Sequence, residues 1–266
     1  MKASVSPLVH IPWKVTWLVL LVVVSHAGAS NPEDADTIIR RSVTANNHDW
    51  NAAPAFDYFE RDQENGQTNT YEEVMILGSP YERLVAVNGQ PLTPAQQAEQ
   101  QRKLDEVVAQ RRCESAQQRE RRLAKYENDR KRDHSLMDQL VEAFNFRLIG
   151  QQTLGPYDVY VLEATPRPGY KPPNIEAQVL TGMQGELWID KNTFQWVRVR
   201  AEVIHAVSIE GFLARVEPGT RFELEKMPVT DDVWLPKHFA MTSHARILFF
   251  LQNNRQEDDT YFDYHR

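Results

Sequence analysis

The chain has very little cysteine and no excess of positive charge. Cys113 is the only cysteine among 266 residues, so no disulfide can form within the chain. The 30 Lys and Arg residues are outnumbered by 37 Asp and Glu, which gives a net charge of -7. Binding to phosphate backbones requires a basic surface, so nucleic acid is excluded as a partner. A hydrophobic share of 41% is nevertheless sufficient for a packed core.

The motifs of common catalytic sites are missing as well. There is no Gly-x-Ser-x-Gly elbow, no P-loop and no Gly-x-Gly-x-x-Gly loop. His238 and His244 fall on one face of a predicted strand, but no third metal ligand can be assigned to them. The acidic pairs Asp231-Asp232 and Asp258-Asp259 lie beside turn signals, and turn chemistry explains them. We therefore predict a protein that is not an enzyme and has no catalytic residues, metal site or cofactor.

The N-terminal residues predict export from the cytoplasm. Lys2 and Lys14 precede or flank the apolar run VTWLVLLVVV, and Ala27 and Ala29 have the spacing of a signal-peptide cleavage site. The run is about half of the ~20 apolar residues that a membrane-spanning helix needs. We predict a signal peptide over residues 1–29, cleaved after Ala29, and a secreted, periplasmic protein. The alternative is an uncleaved N-terminal anchor.

Two segments favour helices. The first, Asn31 to Trp50, carries Ile38, Ile39 and Val43 as a short apolar stripe. The second is a helical insertion over residues 93–144, which Thr93-Pro94 begins.

Within this insertion, charges of both signs alternate over residues 101–133, a pattern typical of a solvated helix with internal ion pairs. Ser135 to Asp138 resembles a capping box, and an apolar face follows it up to Phe144. We therefore predict one long exposed helix and then a shorter buried one.

The remaining residues alternate as strands joined by short turns, which predicts an antiparallel sheet of about nine to eleven strands. One hairpin, GELWIDKNTFQWVRVRAEVI from Gly185 to Ile204, turns at Asp190–Thr193. Strict alternation divides it into two apolar sets. One set is Leu187, Ile189, Phe194 and Trp196, and the other is Trp188, Val197, Val199 and Val203.

Because both faces of this hairpin are apolar, the sheet must be covered on both sides or must hold an apolar ligand. We predict that Trp188, Phe194, Trp196 and Phe239 line an apolar cavity. Alternation assigns Arg198 to the Phe194 and Trp196 face, where its charge would form a rim for an acidic head group. Ordinary packing of these aromatic residues under a helix is the alternative, and the pattern leaves open which face is concave.

The order of these elements resembles the LolA/LolB-like superfamily of envelope proteins, which includes lipoprotein carriers and sensors of the RseB/MucB type. The segment that carries the resemblance is GELWID with the apolar strand after its turn, Gly185 to Val203, and WLP at Trp234 to Pro236 supports it. The resemblance extends over Asn31 to Arg266. It implies an α+β fold in which a wide, curved antiparallel sheet forms an unclosed half-barrel wrapped over helices.

In the carriers of that superfamily, the hollow of the half-barrel takes the acyl chains of lipoproteins. The resemblance therefore implies a single LolA-like domain over residues 30–266, which binds a lipid, a lipoprotein or another apolar ligand without catalysis. The alternative function is an envelope protein–protein interaction or stress-sensor module that uses the charged helix 101–133. The partners expected are accordingly acyl chains or an envelope protein.

Overall fold

The structure is a computed structural model that describes residues 34–64, 66–209, 214–247 and 251–266. The predicted signal peptide, residues 1–29, lies outside the described residues. Four α-helices and thirteen strands are defined within the described ranges. The helices are α1 (Ala35–Ala52), α2 (Pro94–Arg112), α3 (Ala116–Asp138) and α4 (Leu140–Ala143), with 3-10 turns at Ala53–Ala55 and Glu176–Gly182.

Short turns join many of the strands, as the sequence predicts, but thirteen strands are described rather than about nine to eleven. They are β1 (Asp57–Glu64), β2 (Gln67–Ile76), β3 (Ser79–Val87), β4 (Gln90–Pro91), β5 (Phe144–Leu154), β6 (Tyr157–Pro166), β7 (Met183–Asp190), β8 (Trp196–Val203), β9 (Val207–Ile209), β10 (Ala214–Val216), β11 (Arg221–Pro228), β12 (Trp234–Ile247) and β13 (Leu251–His265).

All of these strands join one antiparallel sheet. Its order is β4-β3-β2-β1-β13-β12-β11-β8-β7-β6-β5, and β9 and β10 form a branch beside β12. The strands β4 and β5 are the two edges, and within the described residues they do not pair with each other, so the sheet is unclosed. This confirms the predicted α+β fold with a wide, unclosed antiparallel sheet and helices. The helical insertion connects these two edges.

Helix α1 covers one face of the sheet. Asp34 caps it, because its Oδ1 accepts a hydrogen bond from the Thr37 backbone N–H at 2.7 Å. The buried residues of α1 recur on one side, as an amphipathic helix requires, and Ile38 and Ile39 are almost completely buried. They pack in the main core against Leu187 and Trp196, among others. The predicted N-terminal helix is therefore present.

A buried ion pair fixes α1 to the sheet. The Lys226 ammonium on β11 donates to Asp49 Oδ2 at 2.5 Å and to Asn46 Oδ1 at 2.8 Å. The other oxygen of Asp49 accepts from Gln195 Nε2 at 3.0 Å and from the Trp234 backbone N–H at 2.9 Å. Burial lowers the pKa of Lys226, and the charge of Asp49 opposes that shift. One carboxylate thus holds α1 against three separate segments of the chain.

The helical insertion differs in part from its prediction. Helix α2 begins as predicted, with a capping box between Thr93 and Gln96. The predicted helix start at Ser135 is wrong, because Ser135 lies inside α3 and its hydroxyl donates to the Arg132 carbonyl at 2.6 Å. The break falls instead before α3, where Ser115 and Gln118 form the second capping box.

Helix α3 crosses from the β2–β3 hairpin towards the β5 edge, and its 23 residues make it about 35 Å long. At the hairpin, the Arg122 guanidinium donates to Ser79 Oγ at 2.7 Å. Further along, Arg130 donates to the Trp50 carbonyl at 2.5 Å, and His134 stacks on the Trp50 ring. These contacts tie α3 to the hairpin and to the C-terminal end of α1.

No helix in the described ranges combines the length and the apolar character that are needed to span a membrane.

We predict that Lys226→Met lowers the free energy of unfolding by about 3–5 kcal/mol, because it leaves the Asp49 carboxylate buried without its cation. Urea denaturation followed by tryptophan fluorescence measures the change. Lys237→Met is the matched control, since Lys237 is exposed and pairs with Glu225 at 3.5 Å, and its effect should stay within about 0.5 kcal/mol. Equal effects of the two substitutions would contradict a structural role for the buried pair.

Candidate functional site

Phe194 and Trp196, two of the predicted cavity residues, lie in the main core beneath α1. Trp196 is 5% exposed, and its indole Nε1 donates to Ser42 Oγ at 3.1 Å. Phe194 is also 5% exposed, and the guanidinium carbon of Arg41 lies 3.5 Å from its ring centre. Both rings are therefore occupied by contacts with α1. The face of the sheet that carries them is called the helix side below.

Trp188 and Arg198 lie on the opposite face because the hairpin contains a β-bulge. Trp188 pairs with Arg198, whereas Ile189 pairs with Trp196, so Val197 is an extra residue on β8. The predicted placement of Arg198 on the Phe194 and Trp196 face is therefore wrong, since the bulge reverses the alternation after Trp196. Trp188 belongs to a separate small cluster with Val159, Val161, Val197 and Trp234.

Arg198 belongs to a ladder of charged residues on this opposite face. Its Nε lies 3.1 Å from Glu223 Oε1, and its guanidinium also pairs with Glu225. Arg200 pairs with Glu223 at 3.0 Å and lies over the Trp188 ring. A groove of about 840 Å³ crosses these strands, and the ladder residues Arg200 and Glu223 help to line it. Charged and polar side chains therefore dominate the groove, and Arg200 is already paired there.

Phe239 occupies a third environment, on the helix side of β12. It pairs with Leu224 across the strands, and Met241 pairs with Phe222. All four side chains are partly buried, and the rings of Phe222 and Phe239 are 6.4 Å apart. Leu224 pairs in turn with the core residue Val199. We call Phe222, Leu224, Phe239 and Met241 the apolar strip, which extends the core towards β13.

The helix side continues beyond the apolar strip into β13, β1 and β2. Directly paired residues share a face, and one unbroken row of partners crosses six strands from the core outward. The row is Leu187, Val199, Leu224, Phe239, Asp259 and Asp62. Polar side chains therefore occupy the same face as the apolar strip, immediately beside it.

These strands place acidic and tyrosine side chains together. Glu60 pairs with Tyr261 on β13, and Tyr58 pairs with Glu73 on β2. Asp259 lies two residues before Tyr261 and so points to the same side. The rings of Tyr58 and Tyr261 meet edge to face with their centres 5.9 Å apart. We call Tyr58, Glu60, Glu73, Asp259 and Tyr261 the carboxyl–tyrosine cluster.

The carboxyl groups of the cluster lack cationic partners. Within the described residues, no Lys or Arg forms an ion pair with Glu60, Glu73 or Asp259. Asp259 is 4% exposed, and its Oδ1 is buried without a hydrogen bond, as is Oε2 of Glu73. The Tyr261 hydroxyl lies 3.5 Å from Asp259 Oδ2, which is a weak contact. Buried polar atoms without a hydrogen-bond partner, such as Asp259 Oδ1 and Glu73 Oε2, are rare in native proteins.

Burial raises the pKa values of Glu60, Glu73 and Asp259 to about 7, and repulsion between neighbouring carboxylates adds to the rise. Burial beside the same carboxylates also raises the pKa values of Tyr58 and Tyr261. The cluster therefore exchanges protons near neutral pH, and positive charge placed beside it would favour the ionised carboxylates.

Part of this cluster was visible in the sequence, but it was interpreted differently. Asp259 lies within β13 and is buried, so the interpretation of Asp258-Asp259 as turn residues is wrong. Tyr58 and Glu60 are two residues apart on β1, as are Asp259 and Tyr261 on β13, so each pair lies on one face of its strand. This spacing could have predicted one polar face on each strand. The pairing of β1 with β13 has no local signature.

The two histidines considered from the sequence both contact polar side chains of β13. His238 lies 3.2 Å from Asp258, and His244 contacts Asn254. Among the described residues, no group of three or more His, Cys, Asp or Glu side chains is arranged to hold a metal ion.

No family model matches the chain, and no curated protein matches it either. Among solved structures it is similar to a LolA superfamily protein from Nitrosomonas europaea, with 12% identity over 87% of this chain and 93% of that chain and a TM-score of 0.35. A DUF1329 family protein from Desulfovibrio piger shares 10% identity over 87% and 92%, with a TM-score of 0.31. The MucA/MucB complex of Pseudomonas aeruginosa matches at 14% identity over 83% and 93%, with a TM-score of 0.24.

These structures include a member of the superfamily that the sequence resembles.

We predict that Glu60→Gln stabilises the protein at about pH 8. The pKa of Glu60 rises on folding from 4.5 to about 7, so the folded state holds more protons than the unfolded chain between these values. Stability therefore falls as pH rises through this window. Since glutamine cannot ionise, the free energy of unfolding of the variant should exceed that of the wild type by on the order of 1 kcal/mol at about pH 8. Near pH 4 the two free energies should be equal.

Thermal melts across this pH range measure the effect. Glu202→Gln on β8, where the side chain is exposed, is the control and should leave the pH profile unchanged. A Glu60→Gln profile parallel to that of the wild type would contradict the raised pKa.

Proposed function

We propose that the protein is an exported, non-enzymatic binding protein that holds an apolar or amphiphilic ligand on the apolar strip. Cleavage after Ala29 would release it into the periplasm, where such ligands need a carrier or a receptor. In this proposal, the rest of the described fold supports the ligand-binding surface on the helix side of the sheet.

The observation that carries this proposal is the position of the apolar strip. Phe222 and Leu224 pack against the main core, and Met241 and Phe239 pair with them across the strands. All four side chains remain partly exposed, on an unclosed sheet whose helix side is covered by α1 and crossed by α3. Apolar surface of this kind gains free energy when a ligand covers it. Of the aromatic residues predicted from the sequence, we retain Phe239 as a ligand contact. Phe194 and Trp196 position α1 beside the ligand.

We predict that Phe239→Ala weakens the binding of a fluorescent fatty-acyl probe about tenfold or more. Covering a Phe side chain contributes about 1.5–3 kcal/mol, and 1.4 kcal/mol corresponds to a factor of ten in affinity. Titration of the purified protein, followed by probe fluorescence, measures the affinity.

The matched control is Phe262→Ala on β13. Phe262 stacks with Phe59 at 5.7 Å and pairs with it across the strands, on the face opposite the apolar strip. This variant should bind the probe as the wild type does. No probe binding by the wild type, or equal losses in both variants, would overturn the proposal.

A second candidate function is an envelope interaction module that uses α2 and α3, as the charged segment 101–133 suggested. One observation favours it: α2 has 19 residues and buries none of them within the chain. Helices of globular proteins normally bury one face. The exposed surface of α2 therefore offers room for a protein partner.

Reversal of charge on this surface separates the two functions. The variant Lys103→Glu/Arg112→Glu changes two exposed side chains of α2 and should leave probe affinity unchanged if the protein is a ligand carrier. An interaction module would instead lose the envelope proteins that co-purify with the wild type, and this loss would favour the second candidate.

A further inference from the structure

The carboxyl–tyrosine cluster has a composition that an apolar ligand alone does not explain. It lies beside the apolar strip on the same face, because Asp259 pairs directly with Phe239. An acyl chain has no group that would pair with a carboxylate. A second chemical group of the ligand would therefore be needed to pair with the carboxyls of the cluster.

Asp259 gives the strongest indication of what that group is. The residue is 4% exposed, yet its Oδ1 accepts no hydrogen bond from any described residue. A buried oxygen left unpaired costs about 1–3 kcal/mol, and more when it is charged. A donor that also carries positive charge would remove this cost.

The tyrosine rings indicate which kind of positively charged donor the ligand would carry. Tyr58 lies edge to face against Tyr261, and its ring is 5.2 Å from that of Tyr264. Aromatic faces attract organic cations, and the carboxylates of Glu60 and Asp259 accept N–H bonds. The described residues form no metal-binding group of His, Cys, Asp or Glu, so the chemistry favours an organic ammonium over a metal ion.

We propose that the carboxyl–tyrosine cluster binds the ammonium group of a cationic amphiphile, a long-chain amine or amino lipid, whose chain lies on the apolar strip. Asp259 and Glu60 accept hydrogen bonds from the ammonium, and the rings of Tyr58 and Tyr261 border it. The placement of the chain rests on the proposed function, whereas the head-group site depends on the cluster alone.

This head group is opposite in charge to the acidic one that the sequence suggested for a rim at Arg198. The guanidinium of Arg198 is already paired with Glu223 and Glu225 on the other face. The unpaired charges beside Phe239 are all negative. The proposed head group therefore carries the opposite charge to the one that the sequence suggested.

Protonation of the cluster makes such binding dependent on pH. The groups that face its carboxyls are Glu82 on β3, Asp57 and Asp62 on β1, Tyr71 on β2, Glu257 and Tyr264 on β13, and Tyr126 and Arg130 on α3. Arg130 is the only cation in this set, and it is held by Glu127 and by the Trp50 carbonyl. Since the carboxyls have pKa values of about 7, affinity for ammonium should rise from about pH 6 to pH 8 with release of protons.

Calorimetric titration with decylammonium and decanoate, each below its micellar concentration, tests the sign of the head group. Propylammonium reports on the head-group site without a chain. At about pH 8 we expect decylammonium to bind at least about tenfold more tightly than decanoate.

Two variants test the residues of the site. Asp259→Asn and Glu60→Gln should each weaken the binding of decylammonium about tenfold, because a hydrogen bond to a charged group contributes about 1.5–3 kcal/mol. Asp258→Asn, an exposed neighbour on the opposite face, is the matched control and should have no effect.

The outcomes distinguish this inference from the proposed function. Equal affinity for the two head groups, with a loss in Phe239→Ala only, would overturn the ammonium site and leave the apolar strip as the ligand site. Binding of propylammonium that needs Asp259, without any gain from the longer chain, would support the head-group site and count against the apolar strip. Glu60→Gln keeps the test decisive if Asp259→Asn fails to fold, since Glu60 is only partly buried.

Discussion

The buried ion pair between Lys226 and Asp49 is the interaction on which the arrangement of helix and sheet depends. Asp49 is 2% exposed and accepts hydrogen bonds from Lys226, Gln195 and the Trp234 backbone. A charge in such a core is tolerated only while its partners stay in place. Helix α1 therefore cannot slide along the sheet, and Trp196 remains covered beneath it.

The bulge at Val197 then gives the two faces of the sheet different chemistry. Before and after it, apolar side chains reach the core under α1, whereas Trp188 and Arg198 turn to the other face. That face satisfies its charges internally through Arg198, Arg200 and Glu223. The helix side does not, because among the described residues no Lys or Arg pairs with Glu60, Glu73 or Asp259. These three carboxyls are the reason for placing the ligand on that face.

The sheet is unclosed, and beside the partly exposed Phe239 the carboxyl of Asp259 is already buried without a cationic partner among the described residues. Here the insertion connects β4 to β5 without joining them, and α3 passes over the opening with Tyr126 near Met75. Raised pKa values and an unpaired Asp259 oxygen lower the stability of the unliganded protein. A ligand that supplies the missing charge would restore it.

The sequence by itself determined the helix start at Thr93 and the hairpin turn after Asp190, because these depend on residues a few positions apart. It also determined the class of fold, an antiparallel sheet with helices. Only the tertiary structure decided which faces meet. The bulge at Val197 reversed the alternation on which the rim residue Arg198 had been assigned. The pairing of β1 with β13 brought Glu60 to Asp259 from opposite ends of the chain. Such pairings arise from long-range packing, which no local pattern encodes.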